Sequence, residues 1–206
     1  MVVDAGLRAE IVARVLAGNF GDQPDRAVHE LGHIDLPEGG VVPLYLRHAA
    51  DAVLIDDCGQ TVLITRGHNP GREKLALPGG FLDAGDDGVE TSLDAAMREA
   101  VEETGIGAKV LRKAAMSPLG PRRYDRPFDI RAAWNDLAGT NIRKGDFFAV
   151  STRGFRFHVA GDLREFPLKA GDDAHAVHVV RLDRLTPVQF AVPDHLEMIR
   201  AAETLP

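Results

Sequence analysis

At 206 residues, with 45% hydrophobic and 27% charged residues, the chain has the size and balance of one globular domain able to bury a core. A net charge of −7 excludes a broad grip on the phosphate backbone of DNA or RNA, while metal ions and a few placed arginines could still hold a small anionic ligand. The single cysteine, Cys58, rules out an internal disulfide, no apolar run reaches the roughly 18 residues of a membrane span, and the N-terminus lacks a signal-peptide pattern, so a cytoplasmic setting is expected.

In chain order, residues 4–18 read as an amphipathic helix with Leu7, Ile11, Val12, Val15 and Leu16 on one stripe, stopped by Gly18-Asn19. That helix either packs on its own domain or makes a dimer contact. His29-Glu30-Leu31-Gly32-His33 satisfies the H-E-x-x-H pattern of zinc proteases, but Pro24, Gly32 and Pro37-Glu38-Gly39-Gly40 argue against a helix there. The two histidines are therefore expected at the surface or in packing. Strands are expected over 42–47, 52–55 and 61–66, with a turn at 56–60 that holds an unreactive Cys58. A polar loop, 67–74, leads to Leu77-Pro78-Gly79-Gly80-Phe81, where glycines let the backbone turn closely and leave carbonyls free as ligands. Further strands are expected over 108–115, 147–151, 155–158 and 176–182, and a closing helix over 194–203. Interleaved strands and helices indicate an α/β sandwich.

The most informative stretch is Arg98-Glu99-Ala100-Val101-Glu102-Glu103-Thr104-Gly105-Ile106. Helical spacing puts Glu99, Glu102 and Glu103 at i, i+3 and i+4, on one side, and Leu93, Met97, Ala100 and Thr104 on another, facing a core. Such like charges cost roughly 0.2–0.5 kcal/mol per pair on an exposed helix. Oxygen-only carboxylate clusters are what hard divalent cations such as Mg²⁺ take, which makes metal binding the reading that explains the charge. Thr91 or Ser92 can cap the N-terminus, Asp94 can pair with Thr91, and Gly105 suits a left-handed C-terminal position.

Arg98, Glu99, Glu102, Glu103 and Gly105 stand at the spacing of the Nudix hydrolase signature, and the constellation resembles that family. Glu90 lies the expected eight residues before Arg98. Gly80, however, lies ten residues before Glu90 instead of six, so four extra residues fall within 83–89, and Asp86 is an alternative for the role of Glu90. The resemblance implies an α/β Nudix fold, a mixed sheet between helices, over residues 41–206, with residues 1–40 as an N-terminal extension. It also implies Mg²⁺ (Mn²⁺ as a substitute) held by Glu99, Glu102, Glu103 and a Gly79 or Gly80 carbonyl, with Glu102 as ligand or base and Arg98 orienting a carboxylate. Lys169-Ala170-Gly171-Asp172-Asp173-Ala174 resembles a run in ADP-ribose-directed members, where Asp172 or Asp173 could serve as base or further ligand. Between Arg122 and Trp134 four arginines alternate with aromatics, a mix suited to phosphate and base. Arg66, Arg123, Arg126, Arg131 and Trp134 are the expected substrate contacts, and residues 135–146 look inserted. The implied reaction is hydrolysis of ADP-ribose, or a similar nucleoside diphosphate derivative, to AMP and ribose 5-phosphate. Nucleotide sugars, dinucleotides, oxidised nucleoside triphosphates and a sensor domain without turnover are the alternatives, and a homodimer is the expected assembly.

Overall fold

The computed structural model describes residues 3–69, 71–86, 88–171 and 174–205. Its elements run α1 (Ala5–Ala17), β1 (Val28–Asp35), β2 (Val41–Asp56), β3 (Gln60–Arg66), β4 (Leu75–Ala76), β5 (Gly79–Phe81), β6 (Ala84–Gly85), β7 (Gly88–Val89), α2 (Ser92–Thr104), α3 (Ala108–Leu111), β8 (Ala115–Pro118), β9 (Asp129–Ala132), β10 (Phe147–Val159), β11 (Ala174–Arg181) and α4 (Pro193–Glu203). This is the expected α/β class with an N-terminal helix, and the main path of its large sheet runs β11-β3-β2-β10-β8. Among the described residues no helix is long and apolar enough to cross a membrane.

The chain divides into two units. One comprises residues 1–49, 81–90 and 122–152, the other 50–80, 91–121 and 153–206. In the first, β1 pairs antiparallel with the start of β2 and β9 with the start of β10. Asp4 caps α1 by accepting from the Leu7 N–H at 2.9 Å. Leu7, Ile11 and Val15, at helical i, i+4 and i+8 spacing, pack into a core with Ile34, Leu44, Leu46 and Phe147. Leu16, expected on that stripe, is 51% exposed, because the buried face of α1 is narrower than the run of apolar residues suggests.

The H-E-x-x-H residues lie in β1, so His29 and His33 are separated by roughly 13 Å of strand (four residues at about 3.3 Å) and share no helical face. His29 instead bridges the Asp25 carboxylate at 2.8 Å and the buried His48 ring at 2.9 Å.

In the second unit, β3 carries β4 on one stretch and β11 along its length, while β8 pairs with the end of β10. Val53, Leu63, Leu77, Phe190 and Ile199 form its core. Two expected strand pairs prove to be single strands. β2 runs unbroken through His48-Ala49-Ala50-Asp51, whose polar members are buried, and β10 runs through Gly154, where Leu119 and Met198 press on the backbone. The strand expected over 108–115 is instead the short helix α3 followed by β8. There Val110 donates its N–H back to the Gly107 carbonyl, and Leu111 is buried, so a helical turn wins over local β-propensity.

Candidate functional site

Helix α2 starts and stops as its sequence requires. Thr91 accepts from the Asp94 N–H at 3.1 Å and donates its hydroxyl to the Asp94 carboxylate at 2.6 Å. Gly105 closes the helix at φ 69°, a left-handed conformation that a side chain would strain. Ala95, Ala96, Ala100, Glu103 and Thr104 are buried, so the inward face includes an acid.

The three glutamates consequently occupy three environments. Glu102 is the exposed one, with 44% of its side chain accessible against 12% for Glu99, and Glu103 is buried at 5%. Arg98 reaches both neighbours, donating to Glu99 at 2.8 Å and to Glu102 at 3.1 Å. A guanidinium forked between two carboxylates offsets the repulsion the spacing creates.

The turn at Gly79-Gly80 lies directly against these acids. The Gly79 N–H donates to Glu103 Oε2 at 2.9 Å. A β-carbon at Gly80 would collide with the Glu99 carboxylate, and one at Gly79 with Asp51. Burial is the main force pushing the Glu103 carboxyl up to about 8. The Gly79 hydrogen bond and the Arg66 charge pull it down, while Glu99 and Asp51 add to the rise. A buried acid, a second acid beside it and a glycine turn with no side chain in the way form an all-oxygen cradle. These residues fit a hard divalent cation.

Two residues of this neighbourhood carry no sequence signal. Asp51 lies in the middle of β2, and the buried His195 comes from α4. His195 accepts the Leu77 N–H at Nδ1, 3.0 Å, so its proton is on Nε2, 3.8 Å from Asp51 Oδ1. Burial holds the His195 imidazole below its usual pKa. The pair anchors the strand that leads into the Pro78-Gly79 turn, and Ala52 donates to the Pro78 carbonyl at 2.8 Å.

Other expected site residues are placed as follows. Arg66 ends β3 in the same unit as α2. Gly171 packs so tightly on the Glu102 carbonyl that a side chain there would overlap it, and Lys169 donates to the Thr104 carbonyl at 2.8 Å. Asp172 and Asp173 lie outside the described residues. In the other unit, Arg123 is exposed and paired with Asp125 at 2.8 Å, Arg126 is exposed, Arg131 lies on β9, and Trp134 is 80% exposed. Arg122, expected among the phosphate-facing arginines, is buried and gives its guanidinium to the backbone carbonyls of Asp22, Ala49 and Ser151. It is a scaffold residue.

Before Glu90, β6 and β7 pair through Ala84 with Val89 and Gly85 with Gly88, and next to them Glu90 accepts the Asp83 N–H at 3.2 Å and donates its own to the Asp83 carbonyl. Asp86, after β6, is exposed.

Among the described residues, Asp56, Cys58 and Asp162 also bring ligand atoms within 4.8 Å of one another. Their carboxylates are engaged as turn caps: Asp56 accepts from the backbone of Cys58, Gln60 and Leu163, and Asp162 from Gln60 and Arg164. The Cys58 thiol is raised by desolvation and then by the nearby carboxylates of Asp162 and Asp56, in keeping with an unreactive cysteine.

The NUDIX domain profile matches residues 46–202. An ADP-ribose pyrophosphatase from Methanocaldococcus jannaschii is 45% identical over 107 residues, 50% of this chain and 59% of that protein, so the match spans little more than half of the relative's length. The solved NUDIX domain of Shewanella oneidensis NrtR, complexed with ADP ribose, superposes with a TM-score of 0.50 at 19% identity, covering 76% of this chain and 85% of that one. A MutT protein from Methanosarcina mazei has a TM-score of 0.48 at 19% identity, over 78% of this chain and 96% of that one. The chain belongs to the NUDIX family.

Proposed function

We propose that the protein is a Mg²⁺-dependent pyrophosphatase that hydrolyses the diphosphate of ADP-ribose, or of a related nucleoside diphosphate derivative, to AMP (or the matching monophosphate) and a phosphorylated second product. The observation that carries this reading is the placement of Glu99 and the buried Glu103 against the side-chain-free turn at Gly79-Gly80. Proteins of this family generally use a divalent metal ion. The partial match to an ADP-ribose pyrophosphatase supports the choice of substrate.

Glu99 and Glu103 would hold the cation, with Glu102 as a further ligand or as the base and the Gly80 carbonyl completing the set. When bound, Mg²⁺, or Mn²⁺ in its place, neutralises phosphoryl oxygens and lowers the pKa of water. Arg98 keeps the Glu99 and Glu102 carboxylates oriented through its paired hydrogen bonds. Asp172 or Asp173 serves as base or further ligand. Arg66, Arg123, Arg126, Arg131 and Trp134 are the proposed substrate contacts, cations for phosphate and a ring for the base. In the reaction a water oxygen bonds to one phosphorus, the bridging P–O bond breaks, and the bridging oxygen leaves on the other phosphate. Positioning and charge neutralisation account for most catalysis of this kind.

Residues 41–206 form the hydrolase domain in this reading, and residues 1–40 extend it. A cytoplasmic location and a homodimer are part of the proposal. Incubation of ADP-ribose with the protein and Mg²⁺ tests it: AMP and ribose 5-phosphate should appear and should vanish with EDTA. Intact ADP-ribose after incubation would reject this substrate.

A further inference from the structure

The first unit sets two arginines against one apolar core. Along β2, strand alternation puts Tyr45, Arg47 and Ala49 on one face, and that face belongs to an apolar core that also includes Phe148 and is flanked by Phe81. A leucine at position 47 would suit it better than a cation, whose removal from water is costly unless it is paired. Arg47 nevertheless makes no ion pair with any described residue. Its guanidinium lies 3.2 Å above the centre of the Phe81 ring, and its Nε is buried without a hydrogen-bond partner.

A second arginine faces the same core. Arg131, on β9, lies opposite Phe148 on β10, with its guanidinium 5.3 Å from that ring's centre. Its Nε is also buried without a hydrogen bond, because the Asp129 carboxylate, 3.3 Å away, is off the donor direction. Burial, and then the charge of Arg131, bring the pKa of Arg47 down to about 10. Two guanidiniums repel across an apolar face, and one carboxylate is at hand to answer them.

We propose that Arg47 and Arg131 form a binding site for a phosphoryl dianion. Stacking on an aromatic ring occupies the flat face of a guanidinium and leaves its edge of N–H donors free, in the fork geometry that fits phosphate oxygens. A phosphate monoester brings a charge of about −1.5 to −2 and three acceptor oxygens, enough to answer two cations at once, which a single carboxylate is not. Arg131 is already among the substrate contacts proposed above. The site adds Arg47 and the ligand chemistry to that reading, and it stands on the geometry of the first unit by itself.

The test uses the full chain in EDTA, so that neither metal nor turnover contributes. Inorganic phosphate, ribose 5-phosphate and AMP are titrated by calorimetry and by thermal melting, with acetate and adenosine as comparison ligands. The three phosphates should bind and raise the melting temperature, and acetate and adenosine should do neither. Arg47→Met, which keeps the stem and removes the charge, should weaken phosphate binding at least tenfold while raising the melting temperature of the ligand-free protein. If that variant does not fold, Arg131→Gln should show the same loss of phosphate binding. The proposal is overturned if a folded variant binds phosphate within twofold of the parent, if acetate binds as well as phosphate, or if the parent binds no phosphate. Failure of ADP-ribose hydrolysis would leave these measurements standing, so the two proposals fail separately.

Discussion

Gly80 faces the Glu99 carboxylate with no room for a β-carbon between them. The Glu99 carboxylate therefore lies directly against the Gly80 backbone. Gly80→Ala should push the Glu99 carboxylate aside, a shift that a flexible side chain accepts with little loss of stability. Metal affinity should fall roughly ten- to a hundredfold, as when a residue supporting a metal ligand is altered. Mn²⁺ titration of the two proteins, alongside their melting temperatures, checks this.

Burial raises the Glu103 carboxyl to about 8 from an ordinary value of 4.5. In the metal-free protein the folded state thus keeps a proton that the unfolded chain releases above pH 4.5. Stability from this group is fully present below pH 4.5 and declines as pH rises toward 8, by at most about 1.4 kcal/mol per pH unit. Glu103→Gln should flatten that slope in urea unfolding with EDTA present. A wild-type profile without the slope would contradict the assignment.

His48 gives the opposite dependence. Burial, followed by the Arg122 charge and then His29, depresses its pKa to about 3 from 6.5. The folded protein keeps the ring neutral while the unfolded chain protonates it, so stability from this group is complete above pH 6.5 and is lost as pH falls toward 3. Between pH 4.5 and 6.5 the slopes from His48 and Glu103 oppose each other, and single variants separate them. His48→Gln should make the protein less sensitive to acid than the parent in the same unfolding assay.

Gly105 combines a left-handed backbone at φ 69° with the Lys169 backbone packed closely where a β-carbon would stand. Gly105→Ala should cost roughly 1–3 kcal/mol, the range for a non-glycine residue held in that region. It should also loosen the Lys169 to Thr104 bond, seen as faster amide exchange at Lys169.

The ends of α2 were readable from Thr91, Asp94 and Gly105, because capping is chemistry between residues close in sequence. The three glutamates of α2 stand out for a related reason, since carboxylates within one turn of each other need an explanation. What the sequence hid is long-range. Nothing in the local pattern shows that Glu103 turns inward while Glu102 stays in water, or that Asp51 and His195, 144 positions apart by number (195 − 51), meet beneath the Pro78-Gly79 turn. Arg122 and Arg123 are neighbours of one residue type, yet one is caged by carbonyls and the other paired at the surface. Composition cannot tell them apart. The α3 segment misled because the residues favouring a strand there are few, and the Gly107 carbonyl offered a closer hydrogen-bond partner.

The most direct test of the account replaces Glu103 by Gln and follows Mg²⁺-dependent release of AMP from ADP-ribose. The account predicts a loss of turnover of at least a hundredfold in a protein that melts at or slightly above the wild-type temperature near pH 7. Turnover equal to wild type in a folded Glu103→Gln protein would contradict it.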